Sequence, residues 1–309
     1  MSPRLAIVGA GAVGCYYGGR LAEAVHDTHF LMRSDYSAVV SQGLRIVSPL
    51  GDAHLAVRCS RSSREIGPCD LVLIALKATA NAALRDILPP LLKPGTVLLT
   101  LQNGLGNEEH LQALCPRHDV MGGLCFVCLN RVAPGVIHHI AQGRISLGEY
   151  GREPTPRTHQ IAEMFRSAGV DCVVEPSLEA ARWKKLVWNI PFNGLSIVTG
   201  GLDTERLLAN PSLERQVREL MLEVVAAAHA LGHSLPDDLV PDMIERTRTM
   251  ASYKPSSLVD FETGRELELE AIWGEPLRRA AAAGVSMPLT RDLHEQLRDC
   301  LRQRSCPAA

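Results

Sequence analysis

The chain has 309 residues, 46% of them hydrophobic, a composition typical of a folded globular protein and too apolar for a disordered one. Its 32 basic and 34 acidic side chains give a formal net charge of -2, which provides no electrostatic attraction for nucleic acid or for an anionic membrane surface. Five Phe, five Tyr and three Trp are too few for an extended base-stacking surface. We therefore predict no nucleic-acid partner and no membrane partner.

The nine cysteines are odd in number and irregularly spaced. A chain of this length folds without disulfides, so we interpret them as reduced thiols in a cytoplasmic protein. Cys125 and Cys128 have the CxxC spacing, but they lie in an apolar run without a second Cys or His pair nearby. His229 and His233 lack the glutamate of the HExxH motif. We therefore predict no metal site.

The first half of the chain alternates predicted strands and helices. Apolar strands are predicted over 5–8, 29–32, 70–76 and 95–101, and helices over 12–24 and 80–92. The last two strands are apolar on every side, as parallel strands covered on both faces should be. This order predicts an α/β fold with a Rossmann-like parallel-sheet N-terminal domain.

Strand signals disappear from about residue 177. Helical patterns cover residues 177–192, 204–232, 236–251, 264–284 and 288–304. We therefore predict two domains, a Rossmann-like domain over 1–175 and an all-helical domain over 176–309.

A glycine-rich turn follows the first predicted strand and opens a helix. Its residues are Gly9, Ala10, Gly11, Ala12, Val13 and Gly14. They match G-x-G-x-x-G, in which the first glycine permits the tight turn, the second lets a pyrophosphate approach the backbone, and the third allows close helix–strand packing. The phosphates would lie at the helix N-terminus. These six residues are predicted to bind a dinucleotide cofactor.

The end of the second predicted strand indicates which dinucleotide binds. NAD-binding proteins place Asp or Glu there, against the ribose 2′-hydroxyl. Here Arg33 follows the strand, and its guanidinium would attract a 2′-phosphate, which favours NADPH. Asp35, two residues later, and a purely solvated Arg33 are the alternative interpretations.

Two further polar residues follow apolar strands. Lys77 comes after the strand at 70–76, and Asn103 comes after the strand at 95–101. Open α/β sheets bind ligands at the carboxyl ends of their strands, so both are candidate ligand contacts.

A polar stripe runs along a predicted helix near residue 185. Lys185, Asn189 and Asn193 recur every four residues among large apolar side chains, and each such step turns a helix by about 40°, so the three share one face. Pro191 should bend or end this helix near Asn193. Buried polar groups need partners, which a polar ligand would supply, and a lysine against apolar walls can act as a proton donor to a carbonyl. The alternative is an amphipathic surface helix.

Together these segments resemble the ketopantoate reductase family (2-dehydropantoate 2-reductase) over essentially the whole chain. The matching pieces are G-A-G-A-V-G at 9–14, Leu-Met-Arg at 31–33, Leu-Lys-Ala at 76–78, Gln-Asn-Gly at 102–104, W-K-K-L-x-x-N-x-x-x-N at 183–193 and S-S-L-V-D-F-E-T-G-R-E-L-E-L-E at 256–270. The resemblance implies an active site in the cleft between a Rossmann-like domain and a helical domain of the 6-phosphogluconate-dehydrogenase type. It also implies NADPH-dependent reduction of 2-dehydropantoate to pantoate, in pantothenate biosynthesis.

The resemblance also implies roles for individual residues. Lys185 would be the general acid, and Glu268 would contact the nicotinamide side of NADPH, with Glu266 or Glu270 as alternatives. Arg33, Lys77 and Asn103 match cofactor-contacting positions. The implied substrate contacts are Lys185, Asn189, Asn193, Asp203 and Ser256.

The sequence departs from the family pattern near the implied substrate contacts. Asp203 stands where a further substrate asparagine is usual, and Tyr253 lies where an asparagine is expected about three residues before Ser256. Leu258 replaces a methionine. These departures keep open a reductase of another 2-keto or 3-hydroxy acid. The alternative outside the enzymes is a sensor that binds NADP(H) without catalysis. Both a monomer and a homodimer suit the fold.

Overall fold

The structure, a computed structural model, describes residues 3–250 and 252–305, without the side chain of the last. Cys306 and Ala251 therefore lie outside the described residues. The contacts divide the chain into two units. The first, which we call the sheet unit, comprises the residues up to Gln102 together with Asn107–Leu178, and the second, the helical unit, comprises Asn103–Gly106 and the residues from Glu179 onward. The predicted domain boundary between 175 and 176 stays a prediction.

The described part of the sheet unit contains one ten-stranded mixed sheet. Its strands are β1 Arg4–Val8, β2 Asp27–Leu31, β3 Leu44–Val47, β4 Ala53–Leu55, β5 Arg58–Ser60, β6 Leu71–Ile74, β7 Val97–Thr100, β8 Asp119–Ala133, β9 Val136–Glu149 and β10 Cys172–Val174. The strand order is β4-β3-β9-β8-β7-β6-β1-β2-β5, with β10 beside β9. All neighbouring pairs from β8 to β5 are parallel, whereas β8 pairs with β9 and β3 with β4 antiparallel. The predicted parallel Rossmann-like core is confirmed, and it is extended by a mixed part in which β3 and β10 both pair with β9 in parallel.

Helices pack on this sheet. They are α1 Ala12–Glu23, α2 Tyr36–Gln42, α3 Ser63–Ile66, α4 Leu84–Ile87, α5 Asn107–Leu114 and α6 Pro156–Ser167. Strands β6 and β7 are buried along their whole length, as their uniformly apolar sequences predict. Gly18 brings α1 close to the sheet, because a Cβ there would lie 2.8 Å from side-chain atoms of Ile7 and Phe30.

The prediction of one continuous helix over 80–92 is wrong. The structure has a 3₁₀ helix at Ala78–Ala83, the short helix α4, and a second 3₁₀ turn at Pro89–Leu91. The adjacent prolines at 89 and 90 cannot donate backbone hydrogen bonds, which prevents a regular α-helix from continuing through them.

In the described part of the helical unit every element is helical. Its elements are α7 Leu178–Val198, α8 Thr204–Ala209, α9 Pro211–Ala230, α10 Leu239–Arg248, α11 Ser256–Glu262, a π-helix at Glu270–Gly274, α12 Glu275–Ala282 and α13 Pro288–Ser305. The predicted all-helical character is confirmed. The helix predicted over 204–232 is divided at Asn210, whose side chain accepts hydrogen bonds from Ser212 N and Leu213 N and so caps α9.

The expectation for Pro191 is wrong in one respect. Helix α7 does not end near Asn193 but continues to Val198. Trp273 is fully buried and donates its indole N–H to the carbonyl oxygen of Ile190 at 3.1 Å, so a side chain supports the backbone next to the proline. Among the described residues, no helix has both the length and the apolar content of a membrane span.

Candidate functional site

The glycine-rich turn joins β1 to α1. Gly9 has φ +102°, and a Cβ there would lie 2.4 Å from the backbone nitrogen of Leu76. Gly14 is equally constrained, because its Cβ would lie 2.2 Å from the carbonyl oxygen of Gly9. Thus the first and third glycines are required by the fold, and the turn packs against the chain leaving β6, one residue before Lys77.

Gly11 differs from the other two glycines of the motif. A Cβ at Gly11 would meet nothing within 4 Å, and its backbone angles, φ −84° and ψ −163°, are open to any residue. The fold itself therefore does not require glycine here. The open space over Gly11 is where a pyrophosphate approaches the backbone in dinucleotide-binding folds, and Ala10, Ala12 and Val13 around it are half-buried.

Arg33 and Asp35 follow β2 and differ in their surroundings. Asp35 is buried, and its carboxylate accepts hydrogen bonds from Ser34 Oγ at 2.7 Å, Arg131 Nη1 at 2.8 Å and Gly135 N at 3.0 Å. Arg33 is exposed and forms no hydrogen bond or ion pair with any other described residue. The carboxylate that could have bound a ribose hydroxyl is therefore engaged within the protein. Arg131 was not expected from the sequence, because it lies 96 positions from Asp35.

A chain of polar side chains orders the segments that follow β6 and β7. Asn81 donates from Nδ2 to Asn107 Oδ1 at 3.0 Å and accepts from Gln102 Nε2 at 2.7 Å. Gln102 in turn accepts from Thr100 Oγ1 at 2.9 Å. Lys77, half-buried, immediately precedes the 3₁₀ helix that carries Asn81. Asn81 and Asn107 were not expected from the sequence, since only the tertiary fold brings them together.

Lys185 lies on α7 and is half-buried. Its Nζ donates to Asn103 Oδ1 at 2.9 Å, although Asn103 is 82 positions away. The neighbouring side chains on α7, Leu186 and Val187, are at most 1% exposed. The two asparagines of the polar stripe are buried as well, so this stripe is not the exposed edge of an amphipathic surface helix.

The short segment Asn103–Gly106 is fixed on the π-helix. Leu105 N donates to the carbonyl oxygen of Ala271 at 2.9 Å. A Cβ at Gly104 would lie only 2.2 Å from that same oxygen, and Gly104 has φ +79°. Only glycine therefore allows this approach, and the approach determines where Asn103 meets Lys185.

Asn189 and Asn193 are buried, with exposed fractions of 8% and 2%. Asn193 donates from Nδ2 to the carbonyl oxygen of Asn189 and accepts at Oδ1 from the backbone N of Ser257, both at 3.0 Å. Asn193 thus connects α7 to the first turn of α11. Ser256, the first residue of α11, is exposed, and its side chain forms no hydrogen bond with any other described residue.

Three glutamates near the π-helix have different environments. Glu268 is buried, Glu266 is exposed, and Glu270 is exposed with its carboxylate 2.7 Å from Arg278 Nη1. The hydrogen bond from Arg278 lowers the pKa of Glu270. Of the three positions considered from the sequence, Glu268 is the one in a protected environment.

Asp203 serves the fold as a helix cap. Its Oδ1 accepts from Arg206 N at 2.8 Å and its Oδ2 accepts from Ser252 Oγ at 2.7 Å. The backbone N–H of Arg206 and the Ser252 hydroxyl lower the pKa of Asp203, although burial opposes them. Tyr253, the other departure, accepts at its carbonyl oxygen from Thr204 N. Asp203 and Tyr253 therefore both take part in hydrogen bonds that join the segment before α11 to the start of α8.

The cysteines and histidines that were considered as metal ligands have contacts of their own. Cys125 and Cys128 are half-buried on β8 and form no disulfide with any other described residue. His229 contacts the backbone of Leu235 through Nε2 at 3.3 Å. Within the described residues, no group of three or more His, Cys, Asp or Glu side chains could hold a metal ion.

Comparison with known proteins identifies similar chains over nearly the whole length. The family model of the ketopantoate reductase PanE/ApbA matches residues 5–152, and the model of its C-terminal part matches residues 177–300. The 2-dehydropantoate 2-reductase of Nostoc sp. is 42% identical over 301 residues, which cover 96% of this chain and 94% of that protein. The enzyme of the same name from Mesorhizobium japonicum is 30% identical, covering 87% of this chain and 89% of that protein.

Solved structures show the same similarity. The crystal structure of 2-dehydropantoate 2-reductase from Geobacter metallireducens GS-15 superposes with a TM-score of 0.92 at 46% identity, covering 96% of this chain and 99% of that one. The structure from Methylococcus capsulatus gives a TM-score of 0.91 at 36% identity, covering 99% and 98% of the two chains.

Proposed function

Because this chain belongs to the ketopantoate reductase PanE/ApbA family, we propose that it reduces 2-dehydropantoate to pantoate with NADPH, as a step of pantothenate biosynthesis. The observation that carries the proposal is the hydrogen bond that holds the ammonium group of Lys185 on Asn103 Oδ1 at 2.9 Å. A sensor of NADP(H) has no need of a fixed proton donor, whereas a keto acid reductase does.

The residues of the sheet unit fit a dinucleotide phosphate. The space over Gly11 accepts a group that approaches the backbone, whereas Gly9 and Gly14 are constrained by the fold. NADPH, when bound, supplies the hydride. Gly9, Ala10, Gly11, Ala12, Val13 and Gly14 would hold its pyrophosphate, and Lys77, Asn103 and Glu268 are the further proposed cofactor contacts.

The preference for NADPH over NADH is supported by the two side chains after β2. Asp35 is buried, and its carboxylate already accepts from Arg131 and Gly135 N, so it is poorly accessible to a ribose hydroxyl. Arg33 is exposed and unpaired among the described residues. A free guanidinium favours a 2′-phosphate by charge-assisted hydrogen bonds.

In the proposed mechanism Lys185 is the general acid. As the keto carbon accepts a hydride, its oxygen gains negative charge, and the Lys185 ammonium donates a proton to give the alcohol. Asn103 Oδ1 accepts one of the three ammonium protons, which orients the remaining two.

The substrate would be held by side chains near Lys185 on the helical unit. The hydroxyl of Ser256, which is exposed, would donate to the substrate carboxylate. Asn189 remains a proposed substrate contact. Asn193, which bonds Asn189 O and Ser257 N, would act mainly by holding Ser256 in place, and Asp203 would act through the segment that it caps.

The test is NADPH oxidation measured with purified protein and 2-dehydropantoate, with pyruvate and 2-ketoisovalerate as comparison substrates. We expect kcat/KM for 2-dehydropantoate to exceed that of the other acids by about a hundredfold, because polar contacts to a substrate group discriminate strongly against acids that lack it. Equal values for all three would favour the second candidate, a reductase of another 2-keto or 3-hydroxy acid. NADPH binding without turnover of any acid would favour the sensor.

The partner in this proposal is a small keto acid. The oligomeric state, monomer or homodimer, and the cytoplasmic location both stay predictions from the sequence.

A further inference from the structure

The segment after β2 begins with Arg33, which is proposed above to favour NADPH, and a second arginine, Arg61, lies beside this segment. Strands β2 and β5 are parallel neighbours, with Leu31 opposite Ser60, and Met32 N donates to the carbonyl oxygen of Ser60 at 2.9 Å. Because the two parallel strands are paired up to their last residues, Arg33 and Arg61 both follow the carboxyl ends of neighbouring strands. Arg33 was predicted from the sequence as a cofactor contact, whereas Arg61 was not.

The Arg61 guanidinium is held against the start of α2. Its Cζ lies 4.6 Å from the centroid of the Tyr36 ring, and its Nη2 donates to Ser37 Oγ at 3.1 Å. A cation over an aromatic face is stabilised by the ring electrons. Tyr36 and Ser37 come three and four residues after Arg33, so the Arg61 guanidinium faces the segment that Arg33 begins.

The carboxylates near this segment bond to groups other than the guanidinium groups of Arg33 and Arg61. Asp35 pairs with Arg131, and Asp27 pairs with Arg4, His29 and Arg58. Glu65 faces Arg61 but accepts from its backbone N–H at 3.3 Å. Among the described residues, no carboxylate forms an ion pair with the guanidinium of either Arg33 or Arg61. The segment after β2 is therefore left with two positive charges and no carboxylate that pairs with either of them.

The two guanidinium groups of Arg33 and Arg61 are complementary in charge and hydrogen bonding to a phosphate monoester. At neutral pH this group carries a charge of about −1.5 to −2 and offers three acceptor oxygens, more than one planar guanidinium can satisfy. Resting on the proposed use of NADPH, we propose that Arg61 is a second ligand of the 2′-phosphate and, together with Arg33, determines the preference for NADPH over NADH.

The test is calorimetric titration with adenosine 2′,5′-bisphosphate and, separately, with NADH, in the absence of any keto acid. The variants are Arg61→Ala, Arg61→Lys and Arg33→Ala. The matched control is Arg215→Ala, which removes an exposed arginine of α9 that forms no ion pair with any other described residue. Thermal unfolding of each variant checks that the fold is retained.

We expect Arg61→Ala to raise the Kd for the bisphosphate about tenfold, because it removes charge-assisted hydrogen bonds, and to change the Kd for NADH less than about twofold. Arg61→Lys should give an intermediate value, since lysine keeps the charge but loses the planar fork. In the double variant Arg33→Ala/Arg61→Ala, the increase in the Kd for the bisphosphate should differ by about threefold or more from the product of the two single increases. The effects should not be independent, because both side chains would contact one phosphate.

An unchanged Kd for the bisphosphate in Arg61→Ala would overturn the proposal. So would equal losses for the bisphosphate and NADH, which would show that Arg61 only supports the segment, and so would a wild-type protein that does not bind the bisphosphate. These readouts contain no keto acid, so a failure of the proposed 2-dehydropantoate reaction appears only in the turnover assay and is distinguishable from a failure here.

Discussion

The ammonium nitrogen of Lys185 and the side-chain oxygen of Asn103 are joined by a hydrogen bond of 2.9 Å. Asn103 follows a strand of the sheet, which made it a candidate ligand contact, and the family resemblance implied that the ligand is the cofactor. Its contacts place it in the helical unit instead, where it also orients the proposed acid. Asn103 is therefore a proposed contact of both the cofactor and the general acid.

Replacement of Lys185 by methionine should lower kcat by about three orders of magnitude, since a general acid contributes about 10²–10⁴-fold. The Kd for NADPH should change less than about twofold, because the variant removes a group needed for the chemical step. Steady-state kinetics and a direct binding titration measure the two effects. The control is Lys184→Met on the adjacent exposed lysine, and comparable kcat losses in both variants would exclude Lys185 as the acid.

Replacement of Gly104 by alanine should displace Asn103 from Lys185, because the new Cβ would collide with Ala271 O at 2.2 Å. We expect kcat to fall by about tenfold or more and the free energy of unfolding to fall by about 2–3 kcal/mol. Gly106 is a close control, since its φ of +89° is also positive but its Cβ would meet nothing nearer than 3.6 Å. Gly106→Ala should cost only the backbone strain, about 1–2 kcal/mol, with little change in kcat. If the two variants behave alike, the steric explanation fails.

The glycine-rich turn permits a similar separation of stability from binding. Gly11→Ala should leave the melting temperature unchanged, because its Cβ meets nothing, and should raise the Kd for NADPH by about tenfold or more by blocking the pyrophosphate. Gly14→Ala should instead lower the free energy of unfolding by about 2–3 kcal/mol, because its Cβ would overlap Gly9 O. A Gly11→Ala protein that binds NADPH as tightly as the wild type would contradict the assignment of this turn.

Glu149 makes the stability of the sheet unit depend on pH. Its carboxylate is buried, and burial alone raises its pKa, but hydrogen bonds from Thr158, Arg152 and Thr155 outweigh burial and hold the pKa below its ordinary value of 4.5. A lowered pKa in the folded state means that the stabilisation is present above pH 4.5 and is lost as the pH falls through the folded-state value.

We therefore expect Glu149→Gln to lower the free energy of unfolding by about 2 kcal/mol at pH 7, since a buried hydrogen-bonded charge is removed from its network. Below pH 4.5 the difference from the wild type should shrink. Urea unfolding at several pH values measures both quantities. Glu163→Gln, at an exposed carboxylate on α6, should change stability by less than about 0.5 kcal/mol at every pH. A constant deficit of Glu149→Gln down to pH 3 would contradict this account.

The amino-acid sequence predicted the parallel core because β6 and β7 are uniformly apolar and the glycine motif has a defined place between a strand and a helix. It did not predict the paired strands β8 and β9, whose mixed polar and apolar residues lack a clear period. Lys185, Asn189 and Asn193 could be singled out since a helical repeat is local. The acceptor of Lys185, the partner of Asp35 and the hydrogen bond from Trp273 could not, because each joins segments more than 80 positions apart.

The membership of Asn103–Gly106 in the helical unit has a consequence for dissecting this protein. Leu105 is 5% exposed and packs in the same apolar cluster as Trp183 and Trp273. A fragment that starts at Glu179 would therefore lack the Leu105 side chain in its apolar core, and it would lack Asn103, which accepts a hydrogen bond from Lys185. Recombinant work on the helical half should supply residues 103–106 by circular permutation or as a tethered peptide.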